Sequence, residues 1–326
     1  ETGQGQPLAP AFGHDGEWIY FAEANDQQRN ELRRINVKGG HVETGLVSHW
    51  DWGEETGFLV IRSTVDGEPA AVRMSVSNAT GHPLVPESGP VRSEGQFDRL
   101  FFYSNGELRL EVPAGKVSIS AVQGFETPEA TRQVEVRAGE TTKTSVDLES
   151  VWDASEHGWF AADTHFHLNY GGSYRLVPED IVLDLQAEGV DIAFPLLANL
   201  HNRFLQQKLW GWSREQLPMI LFGQEVRSHF LGHVQQIGSE ELFWPWVWGP
   251  SYQLYVSDDR PNADVMRHAR EHGGLGGYVH PVPVSNPFPT DAAPAVPEGF
   301  IADAVLGEID FIEVACLWTD EVGTAE

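Results

Sequence analysis

The chain has 326 residues, of which 41% are hydrophobic and 21% charged, a balance typical of a globular protein with about two domains. Its 21 Lys and Arg against 48 Asp and Glu give a formal net charge of −27. This charge disfavours binding to nucleic acid or to an anionic membrane surface, because both depend on clustered basic side chains. The single cysteine, Cys316, excludes a disulfide within the chain and any zinc site built on two or more thiolates.

No apolar run reaches the length of a membrane helix, and no charged segment followed by an apolar one opens the sequence. We therefore expect no membrane insertion. The protein is either cytosolic or, as we expect, a bacterial extracytoplasmic or secreted protein whose signal peptide is absent from this chain.

Two short strand patterns, at 17–23 and 31–37, lie between the turn signals Asp15-Gly16 and Gly39-Gly40. The string A-F-G-H-D-G-E-W-I-Y-F and the later E-L-R-R-I-N-V-K-G-G resemble one blade repeat of the TolB-type β-propellers. The resemblance implies that residues 1–50 are a propeller-repeat fragment. Since one blade cannot bury its own faces, it also implies further blades of the same gene as partners.

Residues 55–150 show strand patterns separated at short spacing by Gly, Pro and Asn, which predicts a β-sandwich. Within them, L-R-L-E-V-P-A-G-K-V-S-I-S-A resembles the transthyretin-like or carboxypeptidase-regulatory sandwiches. We see no residues in this region that indicate chemistry.

From residue 157 onward, strand and helix patterns alternate. Strand patterns lie at 159–164, 190–196, 219–226, 277–280 and 309–314, and helix patterns at 178–188, 202–210 and 263–271. Repeated βα units predict parallel strands, in a barrel or an open sheet, with the functional side chains at the carboxyl ends of the strands.

The string A-D-T-H-F-H-L-N holds the first candidate metal ligands. Because side chains alternate along a strand, Asp163, His165 and His167 are predicted to share one face. Two imidazoles can bind a metal there, with the carboxylate as a ligand or as a support for one.

Glu225 ends an apolar strand, and His229 and His233 follow it. A helix would place all three on one stripe, but the flanking sequence is typical of strands. We favour Glu225 and His233 as ligands, and leave His229 open between a ligand and a solvent-facing side chain. His280 precedes a proline at the end of another strand pattern, and Glu313 is a weaker candidate that is equally compatible with a solvated position.

Taken in order, D-T-H-F-H, the segment from Glu225 to His233 and G-G-Y-V-H-P resemble the PHP superfamily of metal-dependent hydrolases. The closest likeness is to its CehA/McbA family, through G-W-F-A-A-D-T-H-F-H, and covers about residues 55–326. The resemblance implies a distorted (βα)7 barrel in residues 157–326 with two or three divalent ions, Mn, Zn or Fe. Its implied ligands are His165, His167, Glu225, His233 and His280.

The resemblance also implies a reaction. A metal-activated water attacks an ester, amide, carbamate or phosphoester of a small-molecule substrate, and Glu225 and His233 take part in catalysis.

Two departures accompany the resemblance. P-L-L-A-N-L-H-N stands where the family has Asp-His, which leaves Asn199 or His201 as substitutes. The family's last motif lies beyond Glu326, so we expect a barrel truncated at its C-terminus, in a fragment whose partners include a further segment of the same gene.

Two other functions stay open. One is a non-catalytic binding module that kept the PHP scaffold, and the other is a propeller-linked export or envelope protein.

Overall fold

The computed structural model describes residues 8–24, 30–45, 51–87, 89, 91–94, 99–168, 176–197, 207–228, 231–248, 260–281 and 298–313. The chain divides into two compact units. Unit 1 consists of Glu1–Ala161 and Gly172–Asp191, and unit 2 of Ala162–Gly171 and Ile192–Glu326. Among the described residues, every helix is too short or too polar to span a bilayer.

Unit 1 begins with a four-stranded antiparallel sheet whose strands follow chain order. The strands are β1 (Leu8–Phe12), β2 (Trp18–Ala24), β3 (Asn30–Asn36) and β4 (Glu43–Thr44). Phe21 and Glu23 are buried, and Arg33 Nη1 lies 2.6 Å from Glu23 Oε2. The buried carboxylate is thus neutralised within the sheet.

Two further sheets of unit 1 pack around a common apolar core. Their strands are β5 (Thr56–Val65), β6 (Glu68–Pro69), β7 (Ala71–Asn78), β8 (Val91–Glu94), β9 (Arg99–Asn105), β10 (Glu107–Pro113), β11 (Gly115–Val122), β12 (Ala130–Val136) and β13 (Thr141–Leu148). One sheet has the order β10-β5-β13, with β6 on β5, and the other β12-β11-β7-β9-β8. Every second residue of β5, β7 and β11 enters the core, where Ile61, Met74 and Ile119 are fully buried.

The sequence predicts one helix over 178–188 in the βα region, but this segment belongs to unit 1. It forms a 3-10 turn at Pro178–Ile181 and then helix α1 (Val182–Ala187). Arg92 Nη2 donates to Asp184 Oδ2 at 2.6 Å, and the Tyr103 hydroxyl donates to Glu188 Oε1 at 2.9 Å. These bonds join the helical segment to β8 and β9.

Unit 2 is built on one nine-stranded sheet. Its strands are β14 (Ala162–Phe166), β15 (Ile192–Leu197), β16 (Ser213–Arg214), β17 (Met219–Leu221), β18 (Gly223–Ser228), β19 (Gly232–Ile237), β20 (Val247–Trp248), β21 (Leu275–Tyr278) and β22 (Phe311–Ile312). The order is β16-β17-β15-β18-β19-β21-β22, with β14 on β15 and β20 on β18. Its described helices are α2 (Ala263–Glu271) and α3 (Glu298–Val305).

The predicted (βα)7 barrel is wrong. Neighbours β18 and β19 run antiparallel, as do β19 and β21, and the described part of the sheet is open between β16 and β22. The reason is the length of the connection: only residues 229–231 separate β18 from β19, whereas parallel neighbours need a crossover of roughly a dozen residues or more.

Glycine at 277 permits the close approach of β21 and β22. A Cβ added there would lie 2.4 Å from the Phe311 carbonyl oxygen and 2.7 Å from its ring. Val226, Val234, Met266 and Tyr278 form a buried core beneath the sheet. The carboxyl end of β21 is therefore held firmly at the point where His280 follows it.

The sandwich core supplies a test of unit 1. We expect Ile61→Ala to lower the free energy of unfolding of unit 1 by about 2–5 kcal/mol, because it removes buried methylene groups and leaves a cavity. Urea denaturation followed by circular dichroism measures the change. The exposed Lys143→Ala on β13 is the control and should shift stability by less than about 0.5 kcal/mol; equal effects of the two changes would contradict the core assignment.

Candidate metal centre

Strand β14 carries two of the predicted ligands to one place. His165 lies within the strand and His167 directly after it, and their ring centroids are 5.5 Å apart. Asp163 Oδ1 accepts a hydrogen bond from the His165 backbone nitrogen at 3.0 Å. The carboxylate therefore supports the backbone at the first histidine.

Glu225, on β18, is the centre of the cluster and is only 1% exposed. Its Oε2 accepts from Arg227 Nε at 3.0 Å and Nη2 at 2.6 Å, and lies 3.1 Å from His167 Nε2. Its Oε1 lies 2.9 Å from His233 Nδ1 and 4.0 Å from His280 Nε2. The two oxygens thus face two different sets of imidazoles.

Backbone and carboxylate acceptors orient the first two rings. His167 Nδ1 lies 3.0 Å from the Leu196 carbonyl oxygen, an acceptor that orients the ring with Nε2 toward Glu225. His165 Nδ1 lies 3.0 Å from Glu313 Oε2, which also accepts from the His280 backbone nitrogen. Histidines that bind metals are usually held in this way through their second nitrogen.

The ligand atoms form two groups, His165–His167–Glu225 and Glu225–His233–His280, and within each group they lie within 4.8 Å of one another. Four ligands of a tetrahedral zinc ion are separated by about 3.3 Å, from a metal–ligand distance of about 2.0 Å. The contacts of Glu225 with His167, His233 and His280, at 2.9–4.0 Å, bracket this separation. The donors therefore fit a divalent ion in spacing and in chemistry.

The charges of the cluster act on its titratable groups. Burial raises the pKa of Glu225, but hydrogen bonds with His167 and His233 and the nearby charges of Arg227 and His233 together hold that pKa well below its usual value. Burial lowers the pKa of His165, but the hydrogen bond with Glu313 and the charges of Glu225, Glu313 and Asp163 together outweigh it, so the pKa is raised. Burial and the nearby His233 lower the pKa of His280 to about 4. Burial also raises the pKa of Asp163.

The backbone of His280 adopts φ +33°, in the left-handed region that residues other than glycine rarely occupy. This turn directs the ring back toward the cluster, 5.2 Å from the His233 ring and 5.5 Å from the His165 ring. The conformation is therefore part of what assembles the site.

The structure thus brings together His165, His167, Glu225, His233 and His280, and places Asp163 and Glu313 beside them. Asn199, His201 and His229 lie outside the described residues. Sequence reasoning missed Arg227, which is only 4% exposed. The signal was present as charges at alternate positions, Glu225 and Arg227, in a strand that is buried along its whole length.

No family model matches the chain, and no curated protein matches it. Solved structures match 41% of it. They include GBS52, the minor pilin of Streptococcus agalactiae, at 18% identity over 69% of that chain with a TM-score of 0.25. BcpA, the major pilin subunit of Bacillus cereus, matches at 11% identity over 37% of its chain with a TM-score of 0.22. The Bacillus anthracis TIE protein matches at 18% identity over 25% of its chain with a TM-score of 0.21.

These comparisons contradict the resemblance to PHP hydrolases of the CehA/McbA family and give the TolB resemblance no support. The prediction of a PHP-type hydrolase, which rested on that resemblance, is therefore wrong.

The buried ion pair gives a stability test. We expect Arg227→Met to lower the free energy of unfolding by about 3–5 kcal/mol, because it leaves the Glu225 carboxylate buried without its cation. Adding Glu225→Gln should recover much of the loss, as urea denaturation in EDTA would show. The control is Arg62→Met, in an ion pair whose side chains are 71% and 56% exposed, where the loss should stay below about 1 kcal/mol. A double variant no more stable than Arg227→Met would contradict the coupling.

His280 gives a pH test. Its pKa is about 4 in the folded protein and 6.5 when unperturbed. As the pH falls from 6.5 to 4, this imidazole is therefore protonated in the unfolded chain before it is protonated in the folded protein. The stability that this group contributes is present above pH 6.5 and is lost toward pH 4, by about 3 kcal/mol. His280→Asn, which tolerates positive φ, should lose correspondingly less stability than the parent protein between pH 7 and pH 4.

The measurement is urea denaturation in EDTA at both pH values, since the raised pKa of His165 acts in the opposite direction in both proteins. His82→Asn, at an exposed position of unit 1, is the control and should keep the parental pH dependence. Equal losses in His280→Asn and the parent would contradict the assignment.

Proposed function

We propose that unit 2 is a non-catalytic module that binds divalent metal ions, in a protein located outside the cytoplasm. The observation that carries this proposal is the sharing of Glu225 between two groups of ligand atoms, each gathered within 4.8 Å. Burying a carboxylate is unfavourable in free energy, so buried carboxylates are normally found only where they are paired or bind metal. Glu225 is placed for both, since Arg227 pairs with one of its oxygens while histidines approach each of them.

The donor set favours Zn, Mn or Fe. Imidazole nitrogen is a good ligand for zinc and iron, and carboxylate oxygen is a good ligand for manganese. His165, His167, His233 and His280 supply the nitrogens, and Glu225 supplies the oxygens. Arg227 opposes a cation at short range, so we expect weaker binding than the same ligands would give without that guanidinium.

The expected role of the ion is to join strands. When bound, a divalent ion supplies a positive centre that holds its ligands together without chemical change. The ligands lie on or directly after β14, on β18 and on β19, and the last is His280. Binding would therefore hold together segments that are far apart in the chain. Any ligand that binds only the folded state stabilises it in proportion to the logarithm of its concentration above Kd.

The test is metal binding by the purified chain. After dialysis against EDTA, titration calorimetry with Zn²⁺ and Mn²⁺ should detect binding, and thermal unfolding of unit 2 should shift upward with metal concentration. His167→Ala and His233→Ala should each weaken binding by about tenfold or more, because each removes one ligand next to Glu225.

His82→Ala, in unit 1, is the matched control and should bind as the parent protein does. Absence of binding by the parent protein would refute the metal-binding proposal. Metal-dependent turnover of esters, amides or phosphoesters that disappears in His167→Ala would refute its non-catalytic part.

A further inference from the structure

A buried amide, that of Gln235, lies next to the proposed metal ligands. Gln235, on β19, is 0% exposed, and neither its Nε2 nor its Oε1 forms a hydrogen bond with the part of the chain that the structure describes. Its register partner across the β18–β19 ladder is Glu225, and His233 lies two residues before it. Gln235 is therefore flanked by two members of the Glu225–His233–His280 group.

The alternation of the two strands fixes the face on which this amide lies. Gln224 and Gln236 are register partners one step along, and Gln236 Nε2 donates to Gln224 Oε1 at 2.7 Å. Since successive side chains point to opposite faces, this pair occupies the face away from the metal ligands. Gln235 and Glu225 therefore share the ligand-bearing face, and opposed side chains in this ladder are close enough to interact.

An amide in such a position is costly for the protein. A buried donor and acceptor without partners lose their hydrogen bonds to water and gain nothing in return. The position opposite, on β21, is Gly277, which offers no side chain to pair with Gln235. A leucine would fill similar space without this cost, so the amide is explained by a ligand that it meets on this face.

We infer that Gln235 is a further metal-binding residue, whose Oε1 supplies an oxygen ligand to the divalent ion held by Glu225, His233 and His280. This inference rests on the proposed function. It adds a fourth protein ligand to that group, so the ion there would be enclosed by protein in the manner of a structural site. Because amide oxygen is a hard ligand, it favours Mn²⁺ more than it favours Zn²⁺.

The test distinguishes a binding role from a packing role by measuring two quantities in each variant, the urea midpoint and the metal affinity. In the EDTA-treated protein, Gln235→Leu should leave the urea midpoint unchanged or raise it, because it removes two unsatisfied polar atoms. Titration with Mn²⁺ should show affinity reduced by about tenfold or more, with a smaller reduction for Zn²⁺. Gln235→Glu, which keeps the oxygen and adds a charge, should bind Mn²⁺ more tightly than the parent protein does.

Gln236→Leu is the matched control, since it lies next to Gln235 but donates to Gln224 and to the Glu241 carbonyl on the other face. It should lower the urea midpoint and leave both metal affinities unchanged. The inference is overturned if Gln235→Leu behaves like this control, or if it binds Mn²⁺ as tightly as the parent protein. It falls together with the proposed function if the parent protein binds no metal. If Gln235→Leu does not fold, Gln235→Glu decides, and unchanged Mn²⁺ affinity in that variant overturns the inference.

Discussion

The ligand-bearing face of unit 2 depends on one buried carboxylate. Burying a charge is unfavourable unless other groups neutralise it, and Glu225 is neutralised by Arg227 on its own strand and approached by histidines from three other segments. The need to neutralise this charge fixes the register of the neighbouring strands. A shift of β19 by one residue would turn His233 to the opposite face and replace it with Gly232 or Val234, neither of which can interact with the charge.

The same carboxylate explains why residues distant in sequence meet. His165 comes from β14, which runs parallel to β15, and His280 follows β21, which runs antiparallel to β19. The tight approach at Gly277 and the left-handed turn at His280 then direct the last imidazole inward. Metal ligation, as we propose it, uses positions that the sheet has already set, and the bound ion would add stability without requiring a new arrangement.

Some of this could be predicted from sequence and some could not. Alternation located β2, β3, most strands of the sandwich and the end of β14, and caps located α2, because these signals are local. Strand direction is not local. The pattern around Glu225 and His233 is compatible with parallel or antiparallel neighbours, and the short connection between β18 and β19 makes these two strands antiparallel. Likewise the helix pattern over 178–188 does not specify which sheet the helix covers. Its buried residues Ile181, Leu185 and Ala187 lie in unit 1.

The candidate ligands were predictable because histidine and glutamate at strand ends are chemically conspicuous. Arg227 and Gln235 were not, since a polar residue on a strand ordinarily faces water, and only the burial of the whole of β18 and of most of β19 shows otherwise. Short histidine motifs also explain the mistaken expectation of a barrel. They describe local ligand chemistry, which different sheets can present, and they carry little information about how the strands are connected.

The division of the chain between the two units has a consequence for biosynthesis. The segment with His165 and His167 belongs to unit 2, but the segment that follows it, up to Asp191, belongs to unit 1. As the chain leaves the ribosome, the sandwich cannot receive α1 until the first strand of the other unit has already emerged. That strand must then wait for β15 and β18 before it has neighbours. The two units therefore cannot fold one after the other during synthesis. A nascent chain halted near residue 170 would hold an incomplete unit 1, followed by β14 without a neighbouring strand.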